Sequence, residues 1–354
     1  MVAGFGDIIG HRPLVDLLES ELAQPTHAYL FVGPAGTGKG TMALRFAAAL
    51  LCIDDEDCTR RVLLRRHPDV VAVEPEGRAS ITVDQARQAV ALASLAPFEG
   101  SRKIFLLEEG GLLNDEAANA LLKTLEEPSA STIFIIVAES EDDLPDTINS
   151  RCRTVVFGRV TEKDIVAGLV ARGVAAAQAE QAARISGGRP GLAVALATND
   201  QVAGYRHIWL SIPSRLSEHP GDAYLLADEV TNAAEPLLAA LKERQDQSVG
   251  TLAAEGITDR TLRERHERQL KRATAALYVS GLEILAGFYR DAAAAQFGAK
   301  VRNPDIQGTA LTRISPGRAV ANAERVLDAI DAIRANQRPQ LAFAALFSDL
   351  GNER

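Results

Sequence analysis

A nine-residue run at 33–41, Gly-Pro-Ala-Gly-Thr-Gly-Lys-Gly-Thr, combines closely spaced glycines with a lysine. Glycines let backbone N–H groups converge on phosphate oxygens, a helix N-terminus adds partial positive charge, and a lysine supplies a cation. The run follows a predicted strand at 28–32 and opens a predicted helix at 39–51, as a phosphate loop requires. We therefore predict a nucleotide-phosphate site at Gly33, Gly36, Gly38, Lys39, Gly40 and Thr41.

The metal half of this predicted site departs from the usual pattern. A Ser or Thr normally follows the lysine as a Mg²⁺ ligand, but Gly40 stands there. A hydrolytic site also needs one acid for the metal and one to activate water. Another predicted strand ends in Glu108 and Glu109, which are either these acids in degenerate form or solvated side chains. Ala138 and Glu139 follow the predicted strand at 132–137, at the place where a γ-phosphate sensor is usual. We therefore expect that this site can bind ATP but does not hydrolyse it.

Composition narrows the class of protein. The 354 residues are 47% hydrophobic, and 38 basic against 47 acidic residues give a net charge of −9, which disfavours a freestanding nucleic-acid binder. No apolar run approaches the ~18–20 residues of a membrane span, and the first residues do not resemble a signal peptide. Three cysteines argue against a disulfide framework. We expect a cytoplasmic protein without a membrane partner.

The elements that must position these residues change in type along the chain. Nearly continuous apolar runs, typical of strands buried on both faces of a parallel sheet, lie at 28–32, 70–73, 103–107, 132–137 and 154–157. Helical periodicities separate them, which indicates βαβ units. After about residue 158 only helical patterns remain. We predict an α/β domain at 1–158, a small helical domain at 159–200 and an all-helical domain at 203–354.

Several segments together resemble one family. Residues 114–128 (Asn-Asp-Glu-Ala-Ala-Asn-Ala-Leu-Leu-Lys-Thr-Leu-Glu-Glu-Pro) are similar to the long signature of bacterial clamp-loader AAA+ subunits. Residues 144–152, ending in Ser-Arg-Cys, resemble the segment that follows it, and 27–34 and 6–11 also fit. The resemblance covers about residues 4–158. It implies an AAA+ phosphate-loop domain, a helical lid and a C-terminal collar.

Two kinds of clamp-loader subunit share these motifs. The gamma/tau kind is the ATPase motor, whereas the delta-prime kind often has an impaired ATP site. The departures above and the chain length make this sequence more similar to bacterial DNA polymerase III delta-prime subunits. The resemblance implies that Arg151, between Ser150 and Cys152, reaches across a subunit boundary into the neighbour's ATP site. The implied partners are the gamma/tau and delta subunits, and through the complex the sliding clamp and primer-template DNA.

Three further regions have an expected role by the same resemblance. Arg189 lies where AAA+ lids place a second phosphate sensor, although a turn residue is the alternative. Cys52 and Cys58 stand at the first two positions of a zinc module, but even with His67 the ligands fall short of four, so we expect no zinc. The acids at 54–57 are predicted to form a solvated loop.

Two other functions stay open. The loop at 33–41 also matches the phosphate loop of nucleoside-monophosphate kinases, including the glycine after the lysine. Such a kinase has its loop nearer the start and an Arg-rich lid, and it leaves the long helical remainder without a role. The second alternative is an active gamma/tau-like ATPase. The basic segment 260–272 is predicted either to touch DNA or to form a solvated helix face.

Overall fold

The computed structural model describes residues 4–75, 80–197, 199, 201–253, 259–303, 306 and 308–352, without the side chains of 241, 244–253 and 259–265. These residues form two compact units, Met1–Gly168 and Leu169–Arg354. The short helices that follow residue 169 belong to the same unit as the C-terminal helices. The predicted division into three domains, with boundaries near 158 and 200, stays a prediction.

A five-stranded parallel sheet forms the centre of the N-terminal unit. Its order is β2-β3-β4-β1-β5. The strands are β1 (Ala28–Val32), β2 (Val70–Ala72), β3 (Lys103–Leu107), β4 (Thr132–Ala138) and β5 (Arg153–Val156). Every residue of β1, β3 and β4 is buried, which explains why their apolar runs are continuous rather than alternating. The predicted α/β fold with a parallel sheet is confirmed.

Helices cover both faces of this sheet. They are α1 (Arg12–Glu21), α2 (Lys39–Leu51), α3 (Glu56–Leu63), α4 (Val83–Ala93), α5 (Asp115–Glu126) and α6 (Asp146–Asn149), and α7 (Glu162–Val170) follows the last strand in the chain. Helices α1, α2 and α3 pack on the face that carries Tyr29 and Phe31, and α4 and α5 pack on the opposite face. Asn114 is the N-cap of α5, because its side chain accepts the N–H of Ala117 at 2.7 Å.

The C-terminal unit is helical, and the described residues contain no strand after β5. Its helices are α8 (Ala176–Ser186), α9 (Pro190–Leu196), α10 (Val202–Arg215), α11 (Pro220–Ala253), α12 (Asp259–Gln296), α13 (Gly308–Leu311), α14 (Pro316–Arg334) and α15 (Pro339–Gly351). Buried Trp209 packs edge-on against Phe343 at 5.4 Å between ring centres, and a Cβ at Gly281 would clash with its ring. Helix α10 therefore packs against both α12 and α15.

The long helices bear on two features, a possible membrane span and the basic segment 260–272. In the part of the chain that the structure describes, no helix combines the length and apolarity needed to cross a membrane. The basic segment 260–272 lies within α12, but its side chains from 260 to 265 fall outside the described residues. The choice between DNA contact and a solvated face stays a prediction.

The segment between α2 and α3 corrects two expectations. The acids at 54–57 are exposed, as expected, but they do not all lie in a loop. Asp55 is the N-cap of α3, where its side chain accepts the N–H of Cys58 at 2.9 Å, and Glu56 and Asp57 begin the helix. Cys52 and Cys58 form a disulfide, since the turn between the two helices brings their Cα atoms to 5.6 Å. We expected no disulfide framework from three cysteines, and this one bridge corrects that expectation. Cys152 is not part of a disulfide.

Candidate functional site

The run at 33–41 folds as a turn between β1 and α2 with the backbone shape of a phosphate loop. Gly33, Gly36 and Gly38 have φ angles of 146°, 79° and 99°, which glycine adopts without the steric cost of a side chain. At Gly33 a Cβ would also lie 2.2 Å from the carbonyl oxygen of Phe157. Helix α2 begins at Lys39, so its first N–H groups face this turn. The backbone half of the site therefore suits a phosphate group.

The side chain of Lys39 is buried against its own loop. Its Nζ donates to the carbonyl oxygens of Gly33 at 2.5 Å and Pro34 at 2.8 Å. On the other side, His11 Nε2 donates to the carbonyl oxygen of Thr37 at 2.8 Å, and burial lowers the pKa of this imidazole. The lysine must exchange carbonyl oxygens for phosphate oxygens before it can bind a nucleotide.

Glu108 lies beside the position where a metal-ligating hydroxyl is usual. A Cβ on Gly40 would lie 3.2 Å from Glu108 Oε1. The same oxygen is 2.5 Å from Nη2 of Arg65, and Nη1 of Arg65 is 3.0 Å from Glu74 Oε1. Mg²⁺ needs oxygen ligands in near-octahedral geometry. A glycine and a carboxylate already paired with a guanidinium do not fit that ion.

Sequence reasoning missed Arg65 and Glu74. Arg65 directly follows the C-cap of α3 and has a φ of 58°, a left-handed conformation that favours glycine. An arginine there carries no sequence pattern that links it to a phosphate loop more than twenty residues earlier. Within the described residues, no group of three or more His, Cys, Asp or Glu side chains is placed to hold a metal ion.

The other residues that the sequence predicts to bind nucleotide lie at the same end of the strands, and their surroundings differ. Thr41 is exposed, and it is rotated by about 100° around α2 from Gly40, so its hydroxyl does not replace the absent one. Glu109 follows Glu108 and precedes a short 3₁₀ turn. The backbone oxygen of Glu139 accepts the N–H of Gly33 at 3.1 Å, while its side chain is exposed. The loop and the ends of β3 and β4 therefore meet, and a role of these residues in nucleotide binding stays a prediction.

Arg151 lies just after α6, on the surface of the N-terminal unit. Its guanidinium forms an ion pair with Glu126, and Nη1 donates to the Thr147 carbonyl oxygen at 2.7 Å and lies 3.2 Å from Ser150 Oγ. Arg151 lines an open depression together with His27, Leu125, Glu126 and Ser150. A partner group that enters this depression meets a partly exposed guanidinium.

Cys152 is a packing residue. Its side chain lies against the apolar cluster between the sheet, α4 and α5. Burial raises the pKa of the thiol to about 12, so it stays neutral near pH 7 and is a poor nucleophile.

Arg151 and the phosphate loop lie at opposite ends of two neighbouring strands. Strands β1 and β5 are parallel neighbours, with Tyr29 beside Arg153 and Val32 beside Val156. The loop follows Val32, whereas Arg151 precedes β5. The paired stretch alone spans about 10 Å along the strands, and the flanking residues add to this separation. Arg151 is therefore not placed against the phosphate loop of its own chain.

Arg189 is the N-cap residue of α9, in a turn as the alternative interpretation has it. Its buried guanidinium donates to both carboxylate oxygens of Glu283 in α12, at 3.0 and 2.9 Å. The C-terminal unit thus uses this arginine to join α9 and α12. A role as a phosphate sensor stays a prediction.

Sequence comparison places the chain in one family. Residues 10–161 match the family described as "DNA polymerase III, delta subunit". The DNA polymerase III subunit delta' of Bacillus subtilis is 30% identical over 232 residues, which are 64% of this chain and 68% of that protein. The chain belongs to the DNA polymerase III delta-prime family. This confirms the resemblance found in the sequence.

Other clamp-loader relatives match over shorter stretches. The delta' subunit of Pseudomonas aeruginosa is 42% identical over 139 residues, which are 37% of this chain and 42% of that protein. The tau subunit of Bacillus subtilis is 35% identical over 172 residues, or 46% of this chain and 30% of tau. The chain thus spans well under two thirds of these two relatives. The matched stretches of 139 and 172 residues are close to the length of the N-terminal unit.

Proposed function

We propose that this chain is a delta-prime-like subunit of the replicative clamp loader, a stator that gives Arg151 to the ATP site of a neighbouring subunit. The observation that carries the proposal is the position of Arg151, which lies at the other end of the parallel strands β1 and β5 from the phosphate loop of its own chain. A guanidinium in that position serves a nucleotide held by another subunit. Its partners would be the gamma/tau and delta subunits, in the cytoplasm, with the C-terminal helices as a collar.

The chemistry of a guanidinium suits this role. Hydrolysis of ATP builds negative charge on the γ-phosphate, and an arginine offers a planar fork of donors that stabilises it. Arg151 is partly exposed and lines an open depression, so a neighbour can approach it. Because the arginine comes from a second subunit, hydrolysis would depend on assembly. The assembly would then open the sliding clamp and load it on primer-template DNA.

The chain's own phosphate loop would bind ATP without hydrolysing it. Support comes from Gly40, which offers no hydroxyl, and from Glu108, whose carboxylate is paired with Arg65. The subunit would therefore not be an enzyme alone and would assist hydrolysis in trans. These features also speak against the alternative of an active gamma/tau-like ATPase. A nucleoside-monophosphate kinase leaves the helical C-terminal unit without a role.

The test measures ATP hydrolysis by the other clamp-loader subunits with clamp and primed DNA. Wild-type chain should stimulate turnover, and Arg151→Ala should assemble without stimulating. Arg87→Ala is the matched control, because Arg87 is an exposed arginine on α4 that pairs with Asp84. Removal of an arginine supplied in trans reduces turnover by about 10³-fold or more in phosphoryl-transfer systems. Hydrolysis by the isolated chain, or full stimulation by Arg151→Ala, refutes the proposal.

A further inference from the structure

Arg65 is held by contacts to two acids that come from different elements. Its Nη2 pairs with Glu108 at the end of β3, and its Nη1 pairs with Glu74 just after β2, while only 10% of the Arg65 side chain is exposed. The backbone at Arg65 is left-handed, a conformation that is unfavourable for a residue with a side chain. The guanidinium contacts to two acids stabilise the residue in that conformation.

The Arg65 guanidinium lies where a divalent cation held by Glu108 would have to bind. Glu108 Oε1 lies 3.2 Å from the Cβ position of Gly40 and 2.5 Å from Arg65 Nη2. A metal held by Glu108 beside the start of α2 would therefore lie within a few ångströms of a positive charge. Like charges at that distance repel strongly in a partly buried site. The Arg65 guanidinium therefore opposes a divalent cation at Glu108.

The phosphate half of the site does not depend on the metal. The glycine φ angles, the start of α2 and Lys39 provide the groups that cradle the α- and β-phosphates. A divalent cation would supply charge neutralisation mainly at the γ-phosphate end, so without one the γ-phosphate would add little to binding.

We propose that Arg65 stands in place of the metal, so that the loop binds the diphosphate part of a nucleotide without a divalent cation. ATP and ADP then bind about equally well. The inference rests on the proposed non-hydrolytic site and is independent of Arg151. Its failure and the failure of the stator role are distinguishable, because stimulation of the other subunits is a separate measurement.

The experiment titrates the full-length chain with ATP and with ADP by calorimetry, each in excess Mg²⁺ and in EDTA. The four dissociation constants of the wild type should agree within about threefold. Wild-type binding that is lost in EDTA overturns the proposal, and so does the absence of binding in all four titrations. This arm needs no variant, so it does not depend on the folding of an altered chain.

Arg65→Gly tests the residue itself. Glycine suits the left-handed backbone, so the change removes the guanidinium without adding strain. Glu74 and Glu108 are then left without their shared cation, and binding in EDTA should become at least about tenfold weaker than in Mg²⁺. Arg60→Ala, which changes an exposed arginine of α3 paired with Asp57, should behave as the wild type. Metal-independent binding by Arg65→Gly refutes the assignment to Arg65.

Discussion

The guanidinium of Arg151 is ion-paired with Glu126, at the end of the helix that contains the family signature. Both side chains are partly exposed, at 31% for Arg151 and 47% for Glu126. In the single chain the arginine is therefore held by an acid of its own unit. If it acts on a neighbour's nucleotide, it must first leave this carboxylate.

Glu126→Gln should therefore make the chain a stronger stimulator of the other subunits. Exposed ion pairs contribute roughly 0.2–1 kcal/mol, so the concentration for half-maximal stimulation should fall by up to about fivefold. The measurement is ATP turnover by the other subunits as the chain is titrated. Glu127→Gln, at the next and equally exposed position, is the control and should leave the curve unchanged. Loss of stimulation in Glu126→Gln would instead mean that Glu126 positions the arginine for its task.

The sequence was sufficient for the sheet, because strands buried on both faces leave continuous apolar runs between helical periodicities. It was also sufficient for the phosphate loop, whose glycines have the positive φ angles that such a turn needs. Arg65 could not be predicted. Its role comes from a left-handed backbone and from Glu74 and Glu108, which only the folded sheet brings near it. The disulfide was missed for a similar reason, since the turn between α2 and α3 determines the distance.

The pair of Arg189 and Glu283 should be a large contribution to the stability of the C-terminal unit. Only 3% of the Arg189 side chain is exposed, and both of its bonds to Glu283 are about 3 Å long. Removal of one partner of a buried pair leaves the other charge without compensation. Loss of one partner of a fully buried pair costs about 3–5 kcal/mol, but the Glu283 side chain is 21% exposed. Arg189→Met should therefore lower the free energy of unfolding by about 2–3 kcal/mol, measured by urea denaturation.

An exposed pair in the same unit is the control for this prediction. Arg334 pairs with Asp331 one turn earlier in α14, and both side chains are more than half exposed. Arg334→Met should therefore cost less than about 0.5 kcal/mol. The double change Arg189→Met with Glu283→Leu should recover part of the loss, since no charge is left unpaired. Equal, small effects at Arg189 and Arg334 would contradict the ion-pair argument.

Two glycines of the phosphate loop should differ in their tolerance of a methyl group. Both have positive φ angles, but a Cβ at Gly33 would lie 2.2 Å from a backbone oxygen, whereas a Cβ at Gly38 meets nothing within 4 Å. Gly38→Ala should cost about 1 kcal/mol for backbone conformation alone. Gly33→Ala should cost about 1–3 kcal/mol more, because the strand and loop must move apart. Similar urea midpoints for the two variants would mean that the backbone at Phe157, just after β5, moves away without cost.

The phosphate loop should become less stable in mild acid through His11. Burial lowers the pKa of His11 in the folded chain, so below its ordinary value of about 6.5 the unfolded chain binds the extra proton first. Stability is therefore complete above pH 6.5 and falls as the pH drops below it, by at most about 1.4 kcal/mol per pH unit for this one group.

His11→Gln keeps a side-chain N–H for the Thr37 carbonyl but does not titrate. The difference in urea midpoint between wild type and His11→Gln should be constant from pH 8 to 7 and change between about pH 6.5 and 5.5 in favour of the variant. His67, whose pKa burial also lowers, is present in both chains and cancels. A difference that stays constant down to pH 5.5 would mean that His11 keeps its ordinary pKa when the loop is folded.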